Sequence, residues 1–229
     1  MNKISPTMIS TFNTCPYKFK ILYVDKRLPL YKPEYEFGRK IHMIIAEYYK
    51  LLPDDAVPSD VPITLGQAIK RVFSNVDEYI VKYMRPFEEF EKQRLTWHIN
   101  PKPILFEKEI VKGNIHGVVD AVFKRNNDVI VVDWKTGMIR DPTIDEHLKI
   151  QGNTYMYLLD AKEIYFLFIK YGVWHKLLYD EVYLKNKLEE FITAVKNNKY
   201  SRRNGPHCSR CEVNLHCYFD KYRLEWWRL

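Results

Sequence analysis

The first part of the chain carries hydrophobic side chains at the spacing of amphipathic helices. In the segment EYEFGRKIHMIIAEYYKLL, the apolar positions are Phe37, Ile41, Ile44, Ile45 and Tyr48. Pro53 ends this predicted helix, and a loop rich in proline and aspartate leads to a further helix from about Thr64 to Tyr83. Ser5 and Pro6 predict the capped start of a short helix that precedes both.

From Ile104 onward, short runs rich in β-branched and aromatic residues replace the helical pattern. The runs ILFEKEIV, IHGVVDAVF and DVIVVDWKT are separated by the turn compositions KGN and KRNN, and they predict a three-stranded antiparallel meander. A helix across IDEHLKIQGNTYMYLLD follows, and EIYFLFIKYGVWHKLLYD then predicts two strands that turn near Gly172. A further helix over LKNKLEEFITAVKNN leads into a cysteine-rich end.

Composition and charge limit the class of protein without identifying it. The chain has 229 residues, of which 46% are hydrophobic, so it can bury one substantial core or a main domain with a smaller helical appendage. The formal net charge of +7 suggests attraction to a polyanion. The N-terminus lacks the apolar region of a signal peptide, and no stretch approaches the roughly 18 apolar residues of a membrane span. We therefore expect a cytoplasmic (intracellular) protein with no membrane contact.

Two acidic residues and a lysine lie in the strand-rich part, after apolar runs. Because strand side chains alternate between faces, Asp133 and Lys135 point one way and Trp134 the other. Such a pair forms either a structural ion pair or half of a phosphodiester-hydrolysis site. Asp120 lies in the preceding strand, so two carboxylates can converge on one Mg²⁺ or Mn²⁺ ion. Phosphodiester hydrolysis needs such a cation, together with a lysine that stabilises the developing charge.

The motifs GRKIH, GVVD, VVDWKTG and QGNTY occur in this order, and together they resemble the RecB-like branch of the PD-(D/E)XK nuclease superfamily. The resemblance implies an α/β (α+β) fold with a restriction-endonuclease-like core, in which helices flank a mixed central sheet. It implies catalytic roles for Asp120, Asp133, Lys135, Gln151 and Tyr155. It also adds His42 to Asp120 and Asp133 as a metal ligand.

Helical spacing is compatible with these roles but leaves simpler explanations open. Gly38 precedes His42 by four residues, so the glycine clears space on the face that carries the imidazole. Gln151 and Tyr155 share a helix face in the same way. A lone helix histidine is more often hydrogen-bonded to a neighbour, and polar residues are ordinary on a helix surface. In the strand before Asp120, one of Glu107 and Glu109 could lie near the metal, and our preference is Glu107.

The stretch HCSRCEVNLHC holds three of the four cysteines at C-x2-C-x5-C spacing, and the fourth cysteine is Cys15. Members of the same nuclease branch bind a [4Fe-4S] cluster through one cysteine before the core and such a set after it. The resemblance therefore implies that Cys15, Cys208, Cys211 and Cys217 join the two chain ends through a cluster. Zinc is the competing interpretation, with His207 and His216 available to replace the distant cysteine. Disulfides are not expected in a reducing compartment.

The arrangement is most similar to the CRISPR-associated iron-sulfur exonuclease family and its stand-alone viral or mobile-element relatives. The resemblance implies a metal-dependent nuclease for single-stranded DNA, an exonuclease rather than an endonuclease, in DNA processing, repair, recombination or CRISPR adaptation. CRISPR integration proteins or a helicase are the implied partners. The chain itself has no G-x4-GK[ST] loop for ATP.

Three regions are expected from this arrangement, and two other classes of function remain open. The regions are a helical part over 1–100, a nuclease core over 101–200 and a cluster-binding segment over 201–229. One alternative is a catalytically inactive nuclease fold that binds DNA or a partner and keeps a structural metal cluster. The other is a zinc-stabilised interaction module whose carboxylates have no catalytic role.

Overall fold

The structure is a computed structural model, and it describes residues 3–31, 34–76, 78–97, 99–137 and 144–226. Its helices and strands follow one another largely in the order that the sequence predicts. The helices are α1 (Pro6–Thr14), α2 (Pro16–Phe19), α3 (Glu34–Leu51), α4 (Asp60–Val72), α5 (Glu78–Leu95), α6 (Glu146–Leu159), α7 (Glu181–Lys196) and α8 (Asn214–Trp226). The strands are β1 (Leu105–Lys112), β2 (Ile115–Arg125), β3 (Asp128–Lys135), β4 (Glu163–Phe168) and β5 (Val173–Leu178). Within the described ranges, no helix is long and apolar enough to cross a membrane.

The five strands form one mixed sheet in the order β1-β2-β3-β4-β5. β1, β2 and β3 pair antiparallel, which confirms the predicted meander. The crossover through α6 makes β4 parallel to β3, and β5 returns antiparallel to β4 after Gly172. Gly172 has a φ of 62°, a left-handed conformation that glycine adopts without steric penalty. The expected mixed sheet with flanking helices is therefore confirmed.

The single helix predicted from about Thr64 to Tyr83 is wrong, because the segment forms two helices. α4 ends at Val72, and Phe73 is extended with φ −116° and ψ 121°. Ser74 and Asn75 follow, and their short polar side chains favour turns because they compete for backbone hydrogen bonds. α5 then begins at Glu78. The break lets α4 and α5 pack separately beside α3 on the same face of the sheet.

Alternation along the strands decides which residues face each helical layer. α3, α4 and α5 cover one face, against Ala121, Phe123, Ile130, Val132 and Trp134. α6 covers the other face, against Val122, Val131, Ile164 and Phe166. Phe12, Phe19, Ile150 and Phe191 then join α1, α2 and α7 to the outer side of α6. Since Asp133 and Lys135 alternate in phase with Val131, they face α6.

A buried ion pair fixes α5 to the chain segment before β1. Arg94 and Glu91 are both 0% exposed, and Arg94 Nε donates to Glu91 Oε1 at 2.6 Å. The Arg94 guanidinium also donates to the backbone carbonyls of Asn100 and Pro101 and lies 4.3 Å from the ring centre of Phe123. Because these donors point to fixed partners, the pair sets the position of α5 over the sheet.

We expect Arg94→Ala to lower the free energy of unfolding by about 3–5 kcal/mol, because it leaves the Glu91 carboxylate buried without its partner. Urea denaturation measures the change. Lys92→Ala is the matched control on the same helix, since Lys92 pairs with Glu88 and Glu89 near the surface. The control should leave the unfolding midpoint nearly unchanged. Equal midpoints for the two variants would show that the buried pair does not hold α5.

Candidate active site

The regular backbone pairing between β2 and β3 is interrupted at Asp120. Backbone pairing of β2 with β3 ends at Ala121 and Val132. Beyond this pair, a side-chain hydrogen bond takes the place of backbone pairing: the backbone N–H of Trp134 donates to Asp120 Oδ2 at 2.9 Å. Across β2 on its other side, Glu107 in β1 has a left-handed φ of 43°, which is unfavourable for a residue with a side chain. Asp120 therefore occupies a gap between strands.

A connected set of polar contacts joins β3 to α6 next to this gap. Lys135 Nζ lies 2.6 Å from Asp133 Oδ2 and donates to Gln151 Oε1 at 2.7 Å. Gln151 Nε2 in turn donates to Asp133 Oδ1 at 3.1 Å and to the Tyr155 hydroxyl at 3.0 Å. Gln151 thus holds the carboxylate and the ammonium group in a fixed relation to each other.

The position of Tyr155 depends on the absence of a side chain at Gly117. A Cβ atom at Gly117 would lie 2.8 Å from Tyr155 Cε1 and 3.3 Å from Leu158 Cδ1, both closer than ordinary contact. Tyr155 is 5% exposed, and burial raises the pKa of its phenol well above the usual value, so the hydroxyl stays neutral. The Tyr155 ring therefore packs directly against Gly117, and in this position the Tyr155 hydroxyl orients Gln151.

His42 approaches the same gap from α3. Its Nδ1 lies 3.9 Å from Asp120 Oδ1. A Cβ atom at Gly38, one helical turn earlier, would lie 2.8 Å from Thr136 Oγ1, so the glycine lets α3 come close to the end of β3. Burial is the main cause that lowers the pKa of His42, which favours a neutral imidazole. A neutral imidazole is the form that can bind a metal ion.

The two carboxylates repel each other in a buried place. Burial and the nearby Asp133 charge raise the pKa of Asp120 well above its ordinary value, while Lys135 and the Trp134 N–H act in the opposite direction. Asp133 is 2% exposed, and the Lys135 ammonium is the ionic partner of its Oδ2. A bound cation would favour the ionised form of Asp120.

The residue types at the gap fit a divalent cation, although the ligands are not gathered into a finished site. Among the described residues, no group of three or more His, Cys, Asp or Glu side chains is arranged to hold a metal ion. Carboxylates and a neutral imidazole are ligands that Mg²⁺ and Mn²⁺ accept. Asp120, whose pKa is raised by burial and by the Asp133 charge, is the carboxylate that a cation would stabilise most. His42, Asp120 and Asp133 are the residues that could hold the ion.

Two titratable residues near the gap were indicated by the sequence only weakly or not at all. Glu107 contributes to the electrostatic field at Asp120 and His42, whereas Glu109 binds His116 Nδ1 at 3.0 Å instead. His147 was not predicted. Its side chain is partly exposed; partial desolvation and then the Lys135 charge lower the pKa of its imidazole, whereas Asp145 and Asp133 act in the opposite direction. Its position one turn before Gln151 was the available signal.

The four cysteines lie where the two ends of the chain meet, and none forms a disulfide. Cys15 separates α1 from α2, and Cys208 belongs to a 3-10 turn over Pro206–Arg210. Cys211 follows that turn, and Cys217 lies in α8. Burial raises the pKa of the Cys211 thiol, and Cys15 is close enough to raise it further.

Polar contacts between residues 15–30 and 201–220, here called the terminal junction, connect these segments. Lys18 Nζ lies 2.8 Å from Glu212 Oε1. The Tyr17 hydroxyl and Arg27 Nη1 donate to opposite oxygens of Asp220, each at 2.8 Å. His216 Nε2 lies 3.0 Å from the carbonyl oxygen of Leu28. The structure thus brings the N- and C-terminal segments together without showing a metal site between them.

Comparisons with known proteins give a family, and solved structures with a similar course of the chain include two named here. A family model described as the PD-(D/E)XK nuclease superfamily matches residues 3–218. The crystal structure of SSO0001 has a TM-score of 0.46 and 16% identity, covering 93% of this chain and 84% of that one. A protein from Eubacterium rectale, named as a candidate exonuclease, has a TM-score of 0.46 and 12% identity, covering 94% and 88%. None of the curated proteins compared with the sequence matches it.

We expect Gly117→Ala to lower the free energy of unfolding by about 1–3 kcal/mol, because the added methyl group would displace the Tyr155 ring that packs against Gly117. Urea denaturation of the single variants and of the double variant measures this. In a Tyr155→Ala background, Gly117→Ala should have less than about a third of that effect, since the clash is gone.

Gly66→Ala is the matched control for this cycle. Gly66 lies within α4, and a Cβ atom there would meet no atom within 4 Å. The substitution should therefore leave stability unchanged or raise it, because alanine favours a helix. An undiminished effect of Gly117→Ala in the Tyr155→Ala background would show that the ring does not rest on the glycine.

Proposed function

The chain belongs to the PD-(D/E)XK nuclease superfamily, and we propose that it is a metal-dependent deoxyribonuclease that degrades single-stranded DNA as an exonuclease. The observation that carries this proposal is the convergence of Asp120, Asp133 and Lys135 at the gap between β2 and β3. A buried pair of carboxylates beside an ammonium group has little value for stability, because desolvation offsets much of the attraction. It is well suited to phosphodiester hydrolysis.

The residues at the gap have distinct proposed roles in metal binding, charge stabilisation and positioning. His42, Asp120 and Asp133 would hold Mg²⁺ or Mn²⁺, which supplies polarisation of the phosphoryl oxygen and a hydroxide nucleophile when bound. Lys135 provides a positive charge for the negative charge that develops on the phosphate. Gln151 keeps the Lys135 ammonium beside Asp133, and Tyr155 in turn holds the Gln151 amide.

The finer parts of the proposal rest on the order of motifs. Single-stranded DNA as substrate and the exonuclease mode follow from the resemblance to the RecB-like branch, and the net charge of +7 suits a polyanionic substrate. CRISPR integration proteins or a helicase are the proposed partners on the same ground. We also retain the division into 1–100, 101–200 and 201–229.

The second cofactor proposed is a [4Fe-4S] cluster on Cys15, Cys208, Cys211 and Cys217. Four thiols without disulfides at one junction, with Cys15 near Cys211, have the donor chemistry that such a cluster needs. The described residues contain no group of three thiols already arranged around one point. The cluster proposal therefore depends on the spacing of the cysteines in the sequence.

Zinc is the alternative, held either by the same four cysteines or with one of two histidines, His207 or His216, in place of the distant Cys15. The two candidates are already engaged, because Nε2 of His207 lies 2.9 Å from the Arg203 carbonyl oxygen and Nε2 of His216 contacts Leu28. Each could bind zinc only through Nδ1 or after leaving that contact. These contacts favour the set of four cysteines.

Asp120→Ala, Asp133→Ala and Lys135→Ala should each reduce DNA cleavage at least about 100-fold, because each removes a metal ligand or the charge that stabilises the transition state. The assay follows single-stranded and duplex DNA labelled at either end, with Mg²⁺, with Mn²⁺ and with a chelator. Asp128→Ala is the matched control, since Asp128 starts β3 at the exposed opposite end of the strand.

Three outcomes of this assay would contradict the proposal. Cleavage retained in the Asp120 or Asp133 variant would reject the site, and cleavage that persists with chelator would reject the metal. Internal cuts that precede any loss of end label would reject the exonuclease mode.

For the cluster, Cys15→Ala should lose iron and acid-labile sulfide as completely as Cys211→Ala does, because each loss leaves one iron without its thiolate. Both contents are measured on anaerobically purified protein. Ser209→Ala, in the same turn as Cys208, should keep the full content. Stoichiometric zinc without sulfide, or an undiminished iron content in Cys15→Ala, would reject the cluster.

A further inference from the structure

The last helix, α8, exposes a row of apolar side chains in its described part. On the other side of the helix, His216 and Asp220 contact the N-terminal segment at Leu28 and Arg27, and Cys217 is partly buried. The residues of the opposite face are Leu215, Tyr218, Phe219 and Tyr222, with 49%, 55%, 61% and 39% exposure. A surface helix normally buries its apolar face, so this outward face is available for a ligand.

The exposed side chains form a connected aromatic surface. The ring centres of Tyr218 and Tyr222 lie 4.3 Å apart, and those of Tyr218 and Phe219 lie 6.0 Å apart. Three aromatic rings in sequence along one helix offer flat faces of the kind that bases stack on. Leu215 is the single aliphatic side chain of this set.

The charges around α8 favour a polyanion. Residues 199–222 contain five basic side chains, Lys199, Arg202, Arg203, Arg210 and Lys221, against Glu212 and Asp220. Both acidic groups are already compensated from within the protein. Glu212 pairs with Lys18, and Asp220 binds Tyr17 and Arg27. The segment that carries the aromatic face is therefore positive toward an incoming ligand.

α8 is connected to the candidate active site through α2. Tyr17 and Lys18 of α2 contact α8 and the loop before it, at Asp220 and Glu212. The adjacent Phe19 packs in one cluster with Ile150 of α6. Lys18 also belongs to the electrostatic surroundings of His147, which lies one turn before Gln151. Contacts of α2 with α8 and with α6 thus connect α8 to the helix that holds Gln151 beside Lys135.

We propose that the outward face of α8, formed by Leu215, Tyr218, Phe219 and Tyr222, is a stacking platform for unpaired bases of the DNA strand that the active site cleaves. The proposal rests on the nuclease function above and specifies where the strand binds outside the active site. Single-stranded DNA fits better than a duplex, because only unpaired bases expose their faces to the rings.

The experiment measures oligo-dT binding by fluorescence anisotropy, with Ca²⁺ in place of Mg²⁺, for the full chain carrying Asp133→Asn. In this background, Tyr218→Ser combined with Phe219→Ser should weaken binding at least about tenfold, because two aromatic rings on which bases stack are lost. Tyr218→Phe should keep the affinity, since a phenyl ring still stacks. Binding of a blunt duplex should change little.

Leu178→Ser is the matched control for loss of exposed apolar surface. Leu178 has the same 61% exposure as Phe219 but lies in β5 opposite Glu163, whereas Lys135 lies opposite Phe168 at the other end of β4. Oligo-dT affinity should not change in this variant. Thermal melting and iron content of the serine variants are compared with the parent, so that a loss of binding is not a loss of folding.

Two results would overturn the platform. The first is an unchanged oligo-dT affinity of the double serine variant. The second is a parent protein that sediments as a dimer while the double serine variant sediments as a monomer, because the face would then mediate self-association. Failure of the nuclease proposal is distinguishable: it appears as absence of cleavage in the chain without the Asp133→Asn change.

Discussion

The repulsion between two buried carboxylates is the constraint on which the candidate site depends. Asp120 and Asp133 lie on neighbouring strands, and burial together with their mutual repulsion disfavours two ionised groups. The protein compensates part of this with the Lys135 ammonium and the Trp134 backbone N–H. The raised pKa of Asp120 shows that the compensation is incomplete. The divalent cation proposed above would complete it.

The sheet had to be altered locally to create that arrangement. A regular ladder would pair the backbones of β2 and β3 through Asp120, and its carboxylate would then project from one face of the sheet like its neighbours. Instead the ladder ends at Ala121, and the Asp120 side chain accepts the Trp134 N–H. The left-handed Glu107 opposite belongs to the same interruption. Unfavourable backbone conformations of this kind concentrate at functional sites, and the surrounding sheet supplies the stability that they lack.

Much of this was predictable from the sequence, because it depends on local periodicity. Alternation along DVIVVDWKT placed Asp133 and Lys135 on one face, and the spacing of four residues placed Gln151 above Tyr155. The break between α4 and α5 had a local signal, Ser74 and Asn75, that the helical pattern obscured. The packing of Tyr155 on Gly117 and the conformation of Glu107 were not predictable. Each depends on residues far apart in the chain, whose approach no single-segment pattern encodes.

Helix α6 connects the terminal junction to the chemistry. Its inner face carries Gln151 and Tyr155 to Asp133 and Lys135, while Ile150 on its outer face packs with Phe19 and Phe191. Phe19 directly follows Lys18, which is paired with Glu212 in the C-terminal segment. Any cofactor that ties the chain ends together therefore supports the layer against which α6 rests. Since the amide of Gln151 must meet Asp133, Lys135 and Tyr155 within hydrogen-bond distance, a small displacement of α6 would separate the carboxylate from its ammonium partner. The terminal junction can thus influence catalysis without contributing an atom to the active site.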